Sequence, residues 1–403
     1  MTSDFDLIVV GGGPAGMMAG LLFARAGCRV QVLEKHADFF RDFRGDTVHP
    51  STMEILDQLG MLQRFLKRPH EKVERAEGRI AGREYVLGDL THLHTAAPFI
   101  AMMPQWEFLD FLRDEAAALP GFHLQMEAEV TGFIEEKARI SGVTLGDGSE
   151  LRARLVIAAD GRHSIVREQK LLPLEVLGAP MDVLWFRLPK APYSGEALRG
   201  SIDSGRMVVL IDRRDYWQIA YLIPKGQADA VIAKGMEWLR GEVQKAFPDI
   251  DLSGDVLTSA DELHLLSVAL DRLRRWSRPG LLAIGDAAHA MSPIGGIGIN
   301  LAIQDAVAAA NILAAPLKAS KQTIDGLLPR VQQRRLLPTR LIQAAQKAVQ
   351  DNVIGTVLSG ATISGAPWPV RLLNAVPLLR RIPGRFIGLG IRRERVRSPN
   401  AYA

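Results

Sequence analysis

Only one cysteine, Cys28, occurs in the 403 residues. A disulfide framework, a multi-cysteine metal site and a redox-active cysteine pair are therefore excluded, and with the last goes any route that passes electrons through a protein disulfide. Long apolar runs are missing too. None reaches the roughly 18 uninterrupted residues of a membrane-spanning helix. The apolar stretch from Ile294 is broken by Asn300, Gln304 and Asp305 and reads as a loop followed by a buried helix. No secretory pattern opens the chain, where Asp4 and Asp6 precede an apolar stretch interrupted by glycines. A cytoplasmic protein is expected. Nucleic acid is not an expected partner, because no basic run interleaved with aromatics occurs outside the C-terminal tail. His92 and His94 lie two apart on one face of a predicted strand without a third ligand nearby, so no metal is expected. The formal charge of +4 describes a mildly basic surface, open to anionic ligands but implying no partner by itself. There is no internal repeat and no low-complexity segment.

What is present is ordinary globular material. Apolar residues make up 47% and charged residues 23%, in a chain long enough for two or three domains. Residues 5–10 form a continuous apolar run ending at glycines, 15–26 are helical in composition with Gly27 suited to the end, and 29–34 read as a second strand. This βαβ unit predicts a parallel sheet with a crossover helix. Residues 51–65 and 106–119 read as further helices. Short alternating segments fill 79–95 and 181–224. The clearest strands there are 207–212 and 217–223, joined by the charged turn 212–215. They predict one antiparallel sheet inserted into the nucleotide-binding domain, whose pattern resumes at Leu281. Beyond Thr323 the chain is helical and basic, with Pro338 expected to kink a long helix. The last 35 residues are rich in Pro, Arg and Leu. A cap on the main domain is their plainer reading, and a weak contact with a membrane surface or a partner is the alternative.

Three motifs carry chemistry. In Gly11-Gly12-Gly13-Pro14-Ala15-Gly16, the residues Gly11, Gly13 and Gly16 fill G-x-G-x-x-G between the predicted strand and helix. Gly11 permits the tight turn, Gly13 lets the backbone approach a pyrophosphate, and Gly16 lets the helix pack close to the strand. The helix start, at Ala15 and Gly16, presents free N–H groups and a positive dipole end to the phosphates. Glu34 ends the next strand, beside Lys35, where a carboxylate accepts hydrogen bonds from a ribose diol. A glycine-rich turn with a solvated Glu34 is the bland alternative. The second motif runs from Leu155 through Asp160-Gly161 to Arg167, a buried strand followed by a helix start. The third is Gly285-Asp286-Ala287-Ala288-His289, followed by Pro293, Gly295, Gly296, Gly298 and Asn300.

In order and spacing, these motifs together resemble the three signatures of the FAD-dependent aromatic hydroxylases, the class A flavoprotein monooxygenases related to 4-hydroxybenzoate hydroxylase. The resemblance implies an α/β fold. A discontinuous Rossmann-like FAD-binding domain with a parallel sheet would span 1–72, 97–180 and 266–322. An inserted antiparallel-sheet substrate domain would span 73–96 and 181–265, and a helical C-terminal segment 323–403. It also implies non-covalent FAD, with NAD(P)H as transient electron donor and O2 as cosubstrate. Oxygen would pass from a flavin C4a-hydroperoxide to an aromatic or similarly electron-rich small molecule. No second dinucleotide fingerprint is visible, so the nicotinamide cofactor would bind across existing surface.

Residue by residue, the resemblance assigns Asp286, after Gly285, to the ribityl chain. Pro293, Gly296, Gly298, Ile299 and Asn300 would face the flavin pyrimidine. There a helix N-terminus stabilises the negative charge of reduced flavin by about 0.3–1 kcal/mol per contact. Arg44 matches a position near the isoalloxazine and pyrophosphate, and Gln105 one at the FAD phosphate and ribose. Asp160 would support FAD and the nicotinamide path, and Val130, ending a short strand, would be an adenine-side backbone contact. Chemistry centred on the flavin needs no protein nucleophile, so Arg44 and Pro293 are the only side chains considered for catalysis, and His289 is read as holding its loop. The inserted sheet should roof the pocket. Trp185, Arg187, Val209, Trp217 and Tyr221 are the candidate substrate contacts, and strand alternation leaves open which face meets the flavin. Three other readings remain: a flavin reductase of prenyl chains, a flavin-dependent halogenase, and a non-catalytic escort protein for prenylated partners. The halogenase motif W-x-W-x-I-P is replaced here by Ile219-Ala220-Tyr221-Leu222-Ile223-Pro224.

Overall fold

A computed structural model describes residues 4–40, 47–190, 198–213, 215–252, 254–319 and 323–402. Arg44 lies outside them. At the centre of an eight-stranded sheet, Leu281–Ala283, Glu150–Ala158, Phe5–Val10, Val30–Leu33 and Phe122–Gln125 lie side by side and parallel. Ser277–Arg278 pairs antiparallel at one edge, and Val130–Glu136 with Arg139–Leu145 extends Glu150–Ala158 as an antiparallel flap. Central parallel strands are covered on both faces, which calls for unbroken apolar runs rather than alternation. Leu7 to Val10, Leu155 to Ala158 and Leu281 to Ile284 are accordingly all buried. The crossover helix Pro14–Arg25 packs against the helix Gly298–Ala319. It ends at Gly27, whose φ of +85° suits glycine.

The inserted stretches combine into a seven-stranded sheet. Its order is His264–Leu266, Met181–Pro189, Tyr216–Pro224, Arg206–Asp212, Leu198–Asp203, Arg75–Ile80, Arg83–Asp89. It is not wholly antiparallel: the seam between the two stretches, Leu198–Asp203 against Arg75–Ile80, is parallel. A hairpin cannot join strands from opposite ends of an insertion, so their direction there is free of the turn rule.

Its two faces have different neighbours. Leu184, Phe186, Trp217, Ile219 and Tyr221 pack under Leu239 and Val243 of the helix Met236–Ala246. Trp185, Ala220 and Leu222 face the other way, in a cluster with Ile100 and Met102 and with the partly buried Val209 and Ile294. The register explains the division. Trp185 stands opposite Ala220 and Ala220 opposite Val209, so those three share one face, while Trp217 and Tyr221 occupy the alternate positions. Trp217 and Tyr221 are therefore corrected from substrate contacts to outer-face core. Arg187 lies at the exposed end of the inner row, its guanidinium 4.7 Å from the Tyr216 ring centroid.

Other expectations shift in detail. The helix over 51–65 is two, Pro50–Gln58 and Leu62–Phe65, interrupted at Gly60 with φ +69°. Val130 opens its strand instead of ending one. The long helix Leu328–Val349 runs through Pro338 without ending. The stretch Ile294–Ala319 is long and apolar enough to cross a membrane, yet 78% of its apolar window is buried in the protein. That burial is the pattern of a core helix. Helical structure stops at Leu389, and the remaining residues form a strap. Asn311 clamps it, donating to the Arg395 carbonyl at 2.8 Å and accepting from the N–H groups of Arg397 and Ser398 at 2.7 and 2.8 Å.

Candidate FAD site

At the carboxyl edge of the parallel sheet the three motifs meet. Gly11 turns with φ +100°, and a Cβ there would sit 2.6 Å from the Ala159 carbonyl oxygen, so the first motif leans directly on the strand end of the second. At Gly16 a Cβ would come within 1.9 Å of the Gly11 carbonyl oxygen, so only glycine lets the helix start close on the turn. Gly13 differs: the nearest atom to its Cβ position is 4.0 Å away. Protein packing does not require glycine there, and a group approaching from outside would. The first bond of the helix runs from Met17 N–H to the Gly13 carbonyl, and no side chain caps it. The N–H groups of Ala15 and Gly16 are thus left for an anion. Glu34 accepts from Gly12 N–H at 2.9 Å and from His36, while Lys35 is exposed. The Ala128 N–H reaches the Glu34 carbonyl, which brings the stretch entering Val130 alongside.

The third motif is tied to the second by Arg167. Its guanidinium donates to the carbonyls of Asp286 (2.6 Å) and Ala287 (2.9 Å) and pairs with Asp271 at 2.9 Å. Gly285, with φ +58°, fits between Ala15 and Ala302, whose Cβ atoms would lie 3.1 and 3.2 Å from its own. The Asp286 carboxylate stays partly exposed, with one long contact of 3.4 Å from Arg162. Asp160 turns inward instead: one oxygen accepts from Ile165 N–H at 2.9 Å and the other is buried without a hydrogen bond. Burial pushes its carboxyl pKa up, against the hydrogen bonds from Ser164 and Ile165.

Beyond His289 the loop rises toward the inserted sheet. Pro293 and Gly295 are exposed. Gly296, at φ +62°, packs so tightly on Thr47 that a Cβ would meet its Oγ1 at 2.3 Å. The helix from Gly298 makes its first bond from Leu301 N–H to the Ile297 carbonyl, leaving the N–H groups of Gly298, Ile299 and Asn300 at its open end. The Asn300 side chain is engaged inside the protein, accepting from His49 N–H at 3.0 Å and Thr52 Oγ1 at 2.7 Å. Any contact it makes outward is therefore through its backbone. Gln105 opens the helix Gln105–Ala117 and is partly exposed.

Two helix starts without side-chain caps, an open position at Gly13 and a partly exposed carboxylate at a strand end suit a dinucleotide's phosphates and polyol. A family model described as FAD binding domain matches residues 4–345. The chain belongs to the FAD-dependent aromatic-type monooxygenases. It is similar to 6-methylpretetramide 4-monooxygenase of Streptomyces rimosus, 32% identical over 403 residues covering 98% of this chain and 94% of the relative. To para-nitrophenol 4-monooxygenase of Pseudomonas sp. (strain WBC-3) it is 25% identical, over 79% of this chain and 80% of that one. The crystal structure of p-nitrophenol 4-monooxygenase from Pseudomonas putida DLL-E4 shares the fold, with a TM-score of 0.77 at 20% identity, covering 97% and 100% of the two chains.

In this monooxygenase the glycine loop is held from behind by residues that sequence reading passed over. Gln343 and Gln346 on the long helix Leu328–Val349, and Gln350 in the turn that continues it, are all buried. Gln343 donates to the carbonyls of Asp271 (2.8 Å) and Ala290 (3.2 Å). Gln346 donates to those of Ser292 and Ile294, both at 3.0 Å, and Gln350 to Ser292 Oγ at 2.9 Å. Amides at i, i+3 and i+7 were the available signal, a polar stripe at helical spacing. His289 donates from Nε2 to the Asp305 carboxylate (2.6 Å) rather than facing the open site. His49 is fully buried and bonds the Ile387 carbonyl. Burial lowers its pKa to about 4, so it is neutral through the physiological range.

The contrast between the two motif aspartates yields a prediction. Asp286→Ala is expected to weaken FAD by roughly ten- to a hundredfold, the loss of about 1.5–3 kcal/mol for a hydrogen bond to a charged group. Asp160→Ala, removing the acceptor of the Ile165 N–H at the start of a short helix, is expected to cost stability of about 1 kcal/mol with a smaller change in FAD affinity. Flavin fluorescence titration of the two apoproteins measures this, and equal dissociation constants would refute the division of roles.

Proposed function

We propose that this FAD-dependent monooxygenase uses NAD(P)H and O2 to hydroxylate an aromatic or similarly electron-rich small molecule. The observation that supports the reading is the apolar inner face of the inserted sheet, with Trp185 and Val209, clustered with Ile294 of the glycine loop. An apolar wall beside a flavin loop suits a flat, weakly polar substrate and excludes water from the reacting atoms. The names of the relatives, one a nitrophenol monooxygenase, support the same substrate class.

When bound, FAD supplies the redox chemistry, accepting electrons from the nicotinamide donor and activating oxygen. The chain's own contribution is position and polarity. Gly11, Gly13, Ala15 and Gly16 would hold the pyrophosphate at the first helix start, and Glu34, beside Lys35, the adenosine ribose. Val130 would lie on the adenine side, Gln105 at the phosphate and ribose, and Asp286, next to Gly285, on the ribityl chain. The open helix end at Gly298, Ile299 and Asn300, with Pro293 and Gly296 shaping the loop, would place positive dipole against the flavin ring. Asp160 would act through the Ile165 N–H that it holds. Trp185 and Val209 would bound the substrate, with Arg187 at the rim.

The decisive experiment supplies labelled O2 to the purified protein with NAD(P)H and a panel of phenols and polyketide-like aromatics. Substrate-stimulated NAD(P)H oxidation with label in the product is expected. Stimulated oxidation yielding a saturated, unlabelled product would instead establish a reductase. Strict halide dependence would establish a halogenase, and no stimulation by any aromatic would leave the hydroxylase reading without support.

A further inference from the structure

The C-terminal helices leave an apolar face uncovered. The helix Trp368–Ala375, the turn Pro377–Arg380 and the helix Arg381–Leu389 follow one another along the edge strand Arg83–Asp89. Their inner side is firmly seated. Asn374 pairs its amide with the Val86 N–H (3.1 Å) and carbonyl (3.3 Å), replacing a missing neighbour strand. Gly384 and Gly388 admit close approach, since Cβ atoms there would meet the Asp89 carbonyl oxygen at 1.9 Å and Leu93 at 2.7 Å. Arg380 caps the first helix through the carbonyls of Leu373 (3.0 Å) and Asn374 (3.1 Å), fixing the angle between the pieces.

The outer side carries Trp368, Leu372, Val376, Leu378 and Ile382, exposed by 69, 43, 41, 63 and 67%. Single exposed apolar residues need no explanation, but five large ones within 15 consecutive residues form a patch. Interleaved with them are the exposed Arg371, Arg381 and Arg385. From residue 352 to residue 393 the sequence contains no Asp, Glu or Lys, and its charge comes from arginines alone. Arg385, one turn beyond Ile382, also lines a cleft of about 390 Å³ with Arg334, Arg392, Arg393, Arg395 and Arg397. Glu394 takes Arg334 and Glu54 takes Arg393. Among the described residues no carboxylate pairs with Arg385, Arg392, Arg395 or Arg397.

We propose that residues 368–397 dock this protein on an anionic phospholipid surface, the apolar stripe entering the headgroup region and the arginine cleft receiving lipid phosphates. Charge complementarity selects this occupant. A second copy joined through a two-fold interface would set the same patch against itself and bring Arg371, Arg381 and Arg385 toward their own copies. An anionic bilayer satisfies both halves of the pattern: arginine flanks the apolar stripe, and tryptophan stands at its end, as in interfacial helices. The helices are already folded and held against the sheet, so the surface is ready without rearrangement.

The test is co-sedimentation of the FAD-loaded protein with vesicles of phosphatidylcholine alone or mixed with phosphatidylglycerol. Binding to the mixed vesicles that weakens with salt is expected. Leu378→Ser/Ile382→Ser should lower the partition coefficient about tenfold or more, and Arg381→Ala/Arg385→Ala by roughly fivefold per arginine. Bound flavin and melting temperature serve as the check that each variant is folded. Quenching by brominated lipid that disappears in Trp368→Phe would place that ring in the bilayer. No binding to mixed vesicles, equal binding to neutral ones, or unaltered binding by both double variants would overturn the proposal. So would a wild-type dimer that these substitutions disperse, which would make the face a protein interface.

Discussion

Gly13→Val is expected to abolish FAD binding while leaving the apoprotein folded. The backbone at Gly13 has φ −71° and ψ −178°, an extended conformation that a branched residue adopts without strain. Its Cβ would find no protein atom closer than 4.0 Å, so the apoprotein should change by no more than about 0.5 kcal/mol, as for substitutions away from packed sites. The added side chain instead fills the approach to the Ala15 and Gly16 N–H groups, where a pyrophosphate would bind. Gly16→Ala is the necessary contrast. Its methyl would overlap the Gly11 carbonyl oxygen at 1.9 Å, and the helix would have to move off the turn at a cost of about 1–3 kcal/mol or more. Flavin absorbance after reconstitution and thermal melting of the two apoproteins separate the cases. Gly13→Val protein that takes up FAD stoichiometrically would show that the open position is not the phosphate site.

The largest stability effect is expected at Asp305, which no flavin contact requires. It is fully buried and accepts from His289 (2.6 Å), Arg335 Nε (2.9 Å) and Gly285 N–H (3.1 Å), while Arg335 lies 3.4 Å from Glu394. Burial by itself would raise the Asp305 pKa, but the charge and hydrogen bonds of His289 and Arg335 outweigh it and hold the carboxyl below its ordinary range. Asp305→Ala leaves Arg335 buried beside a vacated partner, a loss of about 3–5 kcal/mol. A typical domain's whole margin is about 5–15 kcal/mol. Denaturant titration should show that drop. Asp305→Leu/Arg335→Met should recover part of it, because removing both charges leaves neither stranded. The sign with pH follows from the depressed pKa: the stabilisation is complete above the unfolded carboxyl value near 3.9 and is lost as pH falls through the lower folded value. A drop under about 1 kcal/mol for Asp305→Ala would mean that the network is not under load.

Much of this was written locally. The glycine fingerprint, the Asp160 and Asp286 motifs and the parallel sheet were legible because each rests on a short run of residues and a backbone rule: apolar strands covered on both faces, positive φ at Gly11 and Gly285, helix starts left without side-chain caps. The identity of the flavin came from how three such runs follow one another, and the match over residues 4–345 agrees with it. What sequence could not decide was which partner each face would meet. Trp185 and Trp217 are equivalent in a strand pattern. The register opposite Ala220, and a helix from residues 236–246 laid over the outer face, turn one toward the glycine loop at Ile294 and seal the other away. Asn300 sits inside the third motif, yet its side chain bonds to residues about 250 positions earlier. The glutamines at 343, 346 and 350 carry no motif and still hold the glycine loop. Side-chain alternation and backbone conformation are properties of neighbours in the chain, whereas burial, hydrogen-bond partners and exposed faces belong to elements that meet only after the chain has folded.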